Sequence, residues 1–275
     1  MKSTTQSGLW KVEFGELGAT LKVLQDHGVT LDHLARLRAE PNYAKRVAKF
    51  MLQGGLDASI HQKLARAVMG KNFFGVEDWS ALYGVNFSQK QLRRVAEFPW
   101  GEETLNSTCP LCGKVVKDCH FAFVGLDRIK GKSLTILKLQ ELHLATGQPK
   151  FYSYAPCAWY SKQKFARETM NFRWYLLHQD IVPKSEDKTY DDQKAMLTAD
   201  YEVPSAVTEA TKDLLVFRKT GNFVNPSRYA LCECLSSSVR RVGVGHFGED
   251  GLSVDGYWSG SRSCRRIGLA ASRKF

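Results

Sequence analysis

No apolar run in these 275 residues approaches the length of a membrane span. The N-terminus, MKSTTQSGLW, lacks the apolar core of a secretory signal. A cytoplasmic location is therefore the expectation, with export by a route not visible here left open. There is no internal repeat and no low-complexity tract, which argues against solenoids and disordered tails. There is no Gly-rich phosphate loop and no candidate nucleophile beside a base, and His120, His143, His178 and His246 are scattered. The expectation is a protein that is not an enzyme. Lysine is also missing from one long stretch: none occurs between Lys219 and Lys274. From Gly243 to Arg266 there is in addition no Gln, Met, Thr, Ala or Pro.

What is present is ample apolar content, 43%, and a net charge of +11. The chain is long enough for one large or two ordinary domains. The positive balance permits an acidic partner, nucleic acid included, and says nothing of fold. Seven cysteines, an odd number in a chain without a secretory signal, read as reduced or metal-bound rather than as a disulfide framework.

Residues 1–98 read as a helical domain. Phe14, Leu17, Leu21 and Leu24 recur at helical spacing before Gly28. Thr30 can cap a second helix, and Pro41 can open a third. Asp57 can cap a fourth, with Ile60, Leu64 and Val68 facing inward and Gly70 as its stop. Val76 to Tyr83 and Ser88 to Phe98 then form a pair joined at Gly84, in the outline of a helix-turn-helix. Its second helix carries Gln89, Lys90, Arg93 and Arg94. Such a helix can place Gln and Arg at base edges and Lys at phosphate, which keeps a nucleic-acid-binding regulator as the alternative function.

Residues 99–117 read as a linker. Within it, Cys109-Pro110-Leu111-Cys112-Gly113 has the spacing of a zinc knuckle, because two thiolates two residues apart can chelate one tetrahedral ion. Cys119 and His120 are the nearest further ligands. As sequence neighbours they would point to opposite faces of a strand, so two free thiols in a loop is the competing reading. Zinc is the one cofactor suggested.

Residues 118–275 alternate one early strand and helices with a β-rich end, an α+β order. Ser205 caps a helix that stops at Gly221. Arg228 to Cys234 reads as strand, and Cys232 and Cys234 share one of its faces. Val242 and Val244, then Leu252 and Val254, point inward on two runs joined by a turn at Gly248-Glu249-Asp250-Gly251. Ile267 to Lys274 reads as one further strand. Trp258, Ile267 and Leu269 complete the expected framework. The outward positions are small, polar or aromatic, a composition suited to adaptable binding.

The residues found between Gly243 and Arg266 are nearly all reachable from AAC or AAT codons by changes at adenine. This segment resembles the variable C-terminus of target proteins of diversity-generating retroelements. The segments NFFGVEDW (72–79), SRYAL (227–231) and GLAASRK (268–274) resemble segments shared by a set of bacterial proteins. The resemblance implies a C-type-lectin-like domain, related to formylglycine-generating enzymes, over 118–275. It implies that a reverse transcriptase rewrites about 243–266, and that those residues bind a protein or other macromolecular ligand. The positions expected to vary and touch ligand are His246, Gly248, Asp250, Ser253, Asp255, Tyr257, Ser259, Ser261, Ser263, Arg265 and Arg266.

Overall fold

The structure, a computed structural model, describes residues 13–52, 58–143, 146–155, 157–258 and 265–275. It divides into two compact units, Met1–Leu52 and Gln53–Phe275.

The smaller unit holds α1 (Phe14–Asp26), α2 (Leu31–Ala39) and α3 (Pro41–Leu52). Thr30 precedes α2 and Pro41 opens α3, as propensity dictates. None of the residues of these three helices is buried.

The larger unit is α+β. Its helices are α4 (Ile60–Met69), α5 (Val76–Tyr83), α6 (Gln89–Arg94), α7 (Glu102–Asn106), α8 (Val116–Cys119), α9 (Ile136–Leu142), α10 (Tyr190–Lys194) and α11 (Ala206–Thr220). Its first strands are β1 (Phe73–Phe74), β2 (His120–Val124), β3 (Arg128–Ile129), β4 (Lys132–Ser133), β5 (Trp174–His178) and β6 (Tyr201–Glu202). The C-terminal strands are β7 (Tyr229–Leu235), β8 (Arg240–Gly248), β9 (Gly251–Trp258), β10 (Ile267–Leu269) and β11 (Ser272–Arg273). One sheet runs β1-β2-β5-β11-β6, a second runs β10-β7-β8-β9, and β3 and β4 pair separately.

The division between units thus falls at residue 52, not 98. The helices that periodicity assigns to an N-terminal domain pack into the larger unit. Met69, Trp79 and Val95 share one core with Phe123 and Leu214. The Trp79 indole donates to the Val124 carbonyl at 2.7 Å, and β1 pairs in parallel with β2. The expected linker is also built in, because Trp100, Leu105, Cys109 and Val116 are buried.

Two local readings are corrected as well. In α4 it is Gln62, Ala65 and Met69 that are buried, while Ile60 and Leu64 are exposed. Two polar anchors turn the helix this way: Ser59 Oγ donates to the Ala96 carbonyl and Gln62 Nε2 to the Val95 carbonyl. Ser59 is the cap of α4, accepting from Gln62 N, whereas Asp57 lies outside the described residues. The run from Ile267 to Lys274 is not one strand. It changes sheets at Ala270-Ala271, where Ala270 N donates to the Leu231 carbonyl and the Ala271 carbonyl accepts from His178 N. β10 lies beside β7, and β11 lies between β5 and β6.

The cap and stop of α11 follow the sequence. Ser205 accepts from Thr208 N, and Gly221 takes a left-handed φ of 74°. This helix lies on the second sheet and buries Ala206, Val207, Ala210 and Leu214.

Candidate metal centre and binding face

The segment 107–119 builds a compact knuckle. Thr108 and Val115 form an antiparallel bridge, Cys109 N donates to the Lys114 carbonyl, and Gly113 N donates to the Cys109 carbonyl. Gly113 turns the chain at φ 75°. Cys109 and Cys112 are thereby held in one loop. The chain then forms the single turn of α8, which ends on Cys119.

His120 begins β2, and the antiparallel register sets it directly opposite His178, the last residue of β5. Directly opposed residues share a face, and the two rings stand 5.2 Å apart. Both are buried, and hydrogen bonding separates their roles. His120 Nδ1 donates to the Val116 carbonyl, and its Nε2 meets the Tyr201 hydroxyl at 3.0 Å. His178 Nδ1 donates to the Asp180 carbonyl at 2.8 Å, while its buried Nε2 has no partner.

The Sγ atoms of Cys109, Cys112 and Cys119 and a ring nitrogen of His178 all lie within 4.8 Å of one another. This cluster could hold a metal ion. His178, not His120, is the fourth member, so the expected set is corrected at that position. The reason is register: both nitrogens of His120 are engaged, whereas Nε2 of His178 is free to bind.

The donors suit a cation. The neighbouring Cys119 thiol holds the Cys109 pKa down. The same contact, with burial, pushes Cys119 up. Crowded thiols cannot all ionise by themselves, and a divalent ion removes that conflict. Fixing Nδ1–H on a carbonyl is how a ligating histidine is ordinarily oriented.

The second candidate is the outer face of the β7-β8-β9 sheet. Val242, Val244, Leu252 and Val254 are buried in the core, as alternation requires. Ile267 and Leu269 are buried too. Trp258 is not framework: it is 59% exposed, and Arg240 lies over its ring. It ends the edge strand, past the last residue that the core can cover.

Of the expected contact positions, His246, Asp250, Arg265 and Arg266 are exposed, and Gly248, Asp255 and Tyr257 are half-buried. Ser253 is buried, because it sits opposite Gly245 with tyrosines above it. Ser259, Ser261 and Ser263 lie outside the described residues.

The face carries an aromatic cluster that sequence alone did not assemble. The rings of Tyr229 and His246 stack at 5.6 Å and 5°, and Tyr229 meets Tyr257 at 5.4 Å. Burial raises the pKa of Tyr229 and of Tyr257, so both hydroxyls stay protonated donors. The open edge of β9 is covered: the Tyr154 hydroxyl and the Trp159 indole both donate to the Val254 carbonyl, each at 2.8 Å. Tyr152 and Tyr154 adjoin it, their rings 4.9 Å apart.

The residues of the nucleic-acid alternative are on α6, which has six residues, under two turns. Gln89, Lys90 and Arg93 are exposed. Arg94 is partly committed: it donates to the Phe172 carbonyl and lies over that ring. The helix expected to run to Phe98 stops at Val95, which is fully buried.

Comparison with protein-family models, curated proteins and solved structures gives no match for this chain. Among the described residues no helix is long and apolar enough to cross a membrane.

Proposed function

We propose that this is a ligand-binding protein whose surface at about 243–266 is diversified by a retroelement reverse transcriptase. The observation that carries the reading is the division of labour along β8 and β9. Val242, Val244, Leu252 and Val254 are locked in the core, Asp255 and Tyr257 take the outward alternate positions of β9, and the register shift after Gly245 turns His246 outward as well. Tyr and His supply contact area, and Asp supplies hydrogen bonding, as in adaptable binding sites. The larger unit is proposed to be C-type-lectin-like. Its α+β order supports this, whereas the last strand, β11, pairs with β5 and β6 and not with the early β2, a departure from the pairing of first and last strands expected of that fold.

The proposed metal is zinc, held by Cys109, Cys112, Cys119 and His178. A set of three thiolates and one imidazole with no open position is that of a structural zinc site. It would clip the knuckle to the end of β5. The nucleic-acid reading draws less support, because α6 is short and Arg94 is tied to Phe172.

The test is the flanking DNA. A near-copy of the gene's end, differing at adenines and lying beside a reverse-transcriptase gene, is expected. A complete genome with neither would overturn the diversification reading. Binding and zinc would then be judged on their own experiments.

A further inference from the structure

A cleft of about 690 Å³ opens at the C-terminal end of α11, within the size range of small-molecule sites. Its walls include Asn72, Phe121, Gln179, Phe223, Asn225 and Arg228. Asn225 is 4% exposed, and neither Nδ2 nor Oδ1 of its side chain has a partner. Its backbone is fixed at φ 49°, and its carbonyl accepts from Arg228 N and Phe247 N. Asn72 is 6% exposed; its Nδ2 donates to the Lys117 carbonyl, while its Oδ1 is also unpartnered. Buried amides are almost always hydrogen-bonded, so unpartnered ones beside a cleft point to a missing partner.

We propose that this cleft binds a neutral planar ligand with an amide-type edge, of the class of nucleobases and their nucleosides. The Asn225 amide offers a donor and an acceptor side by side, the pattern with which Asn reads a base edge. Phe121 and Phe223 add half-buried rings against which a flat heterocycle can pack. Charge argues for a neutral ligand. Arg228 is paired with Asp180 at 3.1 Å, and the other charged wall residues are one cation, Lys71, and one anion, Asp118. The wall is also fixed from the side of the thiol cluster, because Gln179 N donates to the Cys119 carbonyl at 2.9 Å. The lining includes no residue of 243–266, although Arg228 and Asn225 bond the backbone of β8, and the proposal does not rest on the diversification reading.

The experiment is titration calorimetry with saturation-transfer NMR on the full chain, purified without chelator. The probes are adenosine, guanosine, cytidine and uridine, then their 5′-monophosphates, then glucose and galactose. At least one nucleoside is expected to bind with a Kd of about 1 mM or tighter. Its monophosphate is expected to bind no more tightly. Asn225→Gly keeps the left-handed backbone accessible and removes the amide, so it is expected to weaken binding by about tenfold or more at unchanged Tm. Asn225→Asp, which also tolerates this φ, loses the donor and provides a second reading if the glycine variant is unstable. Binding of no nucleoside would show that water alone satisfies the amides. That result, binding of sugars only, a monophosphate preferred by tenfold, or a folded Asn225 variant of wild-type affinity would each overturn the proposal.

Discussion

At the residue scale, two histidines adjacent in space have opposite prospects. His178 presents an unpartnered Nε2 to three sulfurs, and His120 has both nitrogens engaged. Metal analysis of protein purified without chelator is expected to find about one zinc per chain. His178→Ala is expected to abolish that content and His120→Ala to keep most of it. Equal loss from both would contradict the assignment. His246 poses a different constraint. It sits where the β8–β9 register shifts and has φ 45°. Asn, Asp, His and Gly accept that conformation, and β-branched residues do not. His246→Gly is therefore expected to leave stability nearly unchanged, while His246→Val costs about 1–3 kcal/mol. Urea melts of the two variants check this.

At the element scale, α11 carries a buried ionic group. Lys212 donates to Glu209 and lies 3.5 Å from Asp213, and all three are buried. Burial, with the Glu209 charge adding to it, pushes the Asp213 carboxyl well up, and Lys212 opposes that. Lys212 Nζ also reaches the carbonyls of His178 and Gln179, each at 3.4 Å. Removing one member leaves uncompensated charge, so Lys212→Met is expected to cost about 3–5 kcal/mol in a urea melt at pH 7. A loss of unfolding free energy of under about 1 kcal/mol would mean that the remaining carboxyls are already neutral. Across α9 and α5, His143 Nδ1 donates to the Leu139 carbonyl, and its Nε2 meets the Tyr83 hydroxyl at 3.1 Å. Burial lowers its pKa to about 4, and Arg218, which lies over the Tyr83 ring, adds to the effect. The unfolded chain takes up a proton near pH 6.5 and the folded chain only near 4. Stability from this group is therefore complete above 6.5 and falls as pH drops to 4, by up to about 3 kcal/mol. His143→Gln is expected to flatten that part of the curve of stability against pH, relative to the parent. Parallel curves would place the acid loss in other groups.

At the scale of the whole molecule, the two units differ in what they bury. The described core residues belong to Gln53–Phe275, and α1, α2 and α3 bury none. A chain of residues 53–275 is expected to fold by itself, with a Tm within a few degrees of the full chain in calorimetry. A loss of cooperative unfolding would show that residues 1–52 stabilise the rest.

Much of the local structure was legible without coordinates. Strand alternation placed Val242, Val244, Leu252 and Val254 in the core, because successive side chains on a strand must face opposite ways. Ser205 and Gly221 bracketed α11 because one accepts an orphan amide and the other permits a left-handed turn. The CxxCG spacing brought together two of the four residues of the candidate metal cluster for the same reason: its geometry is contained in five residues. What depended on residues distant in the chain was not legible. His178 joins Cys109, Cys112 and Cys119 only through the register of β2 against β5. Ile60 faces outward because Ser59 and Gln62 bond carbonyls more than thirty residues away. The break at Ala270-Ala271 exists because β7 and β5, in different sheets, each claim part of one short segment. Periodicity and caps are short-range and are encoded in the chain itself, whereas register and the choice among alternative faces are decided by which surfaces pack together.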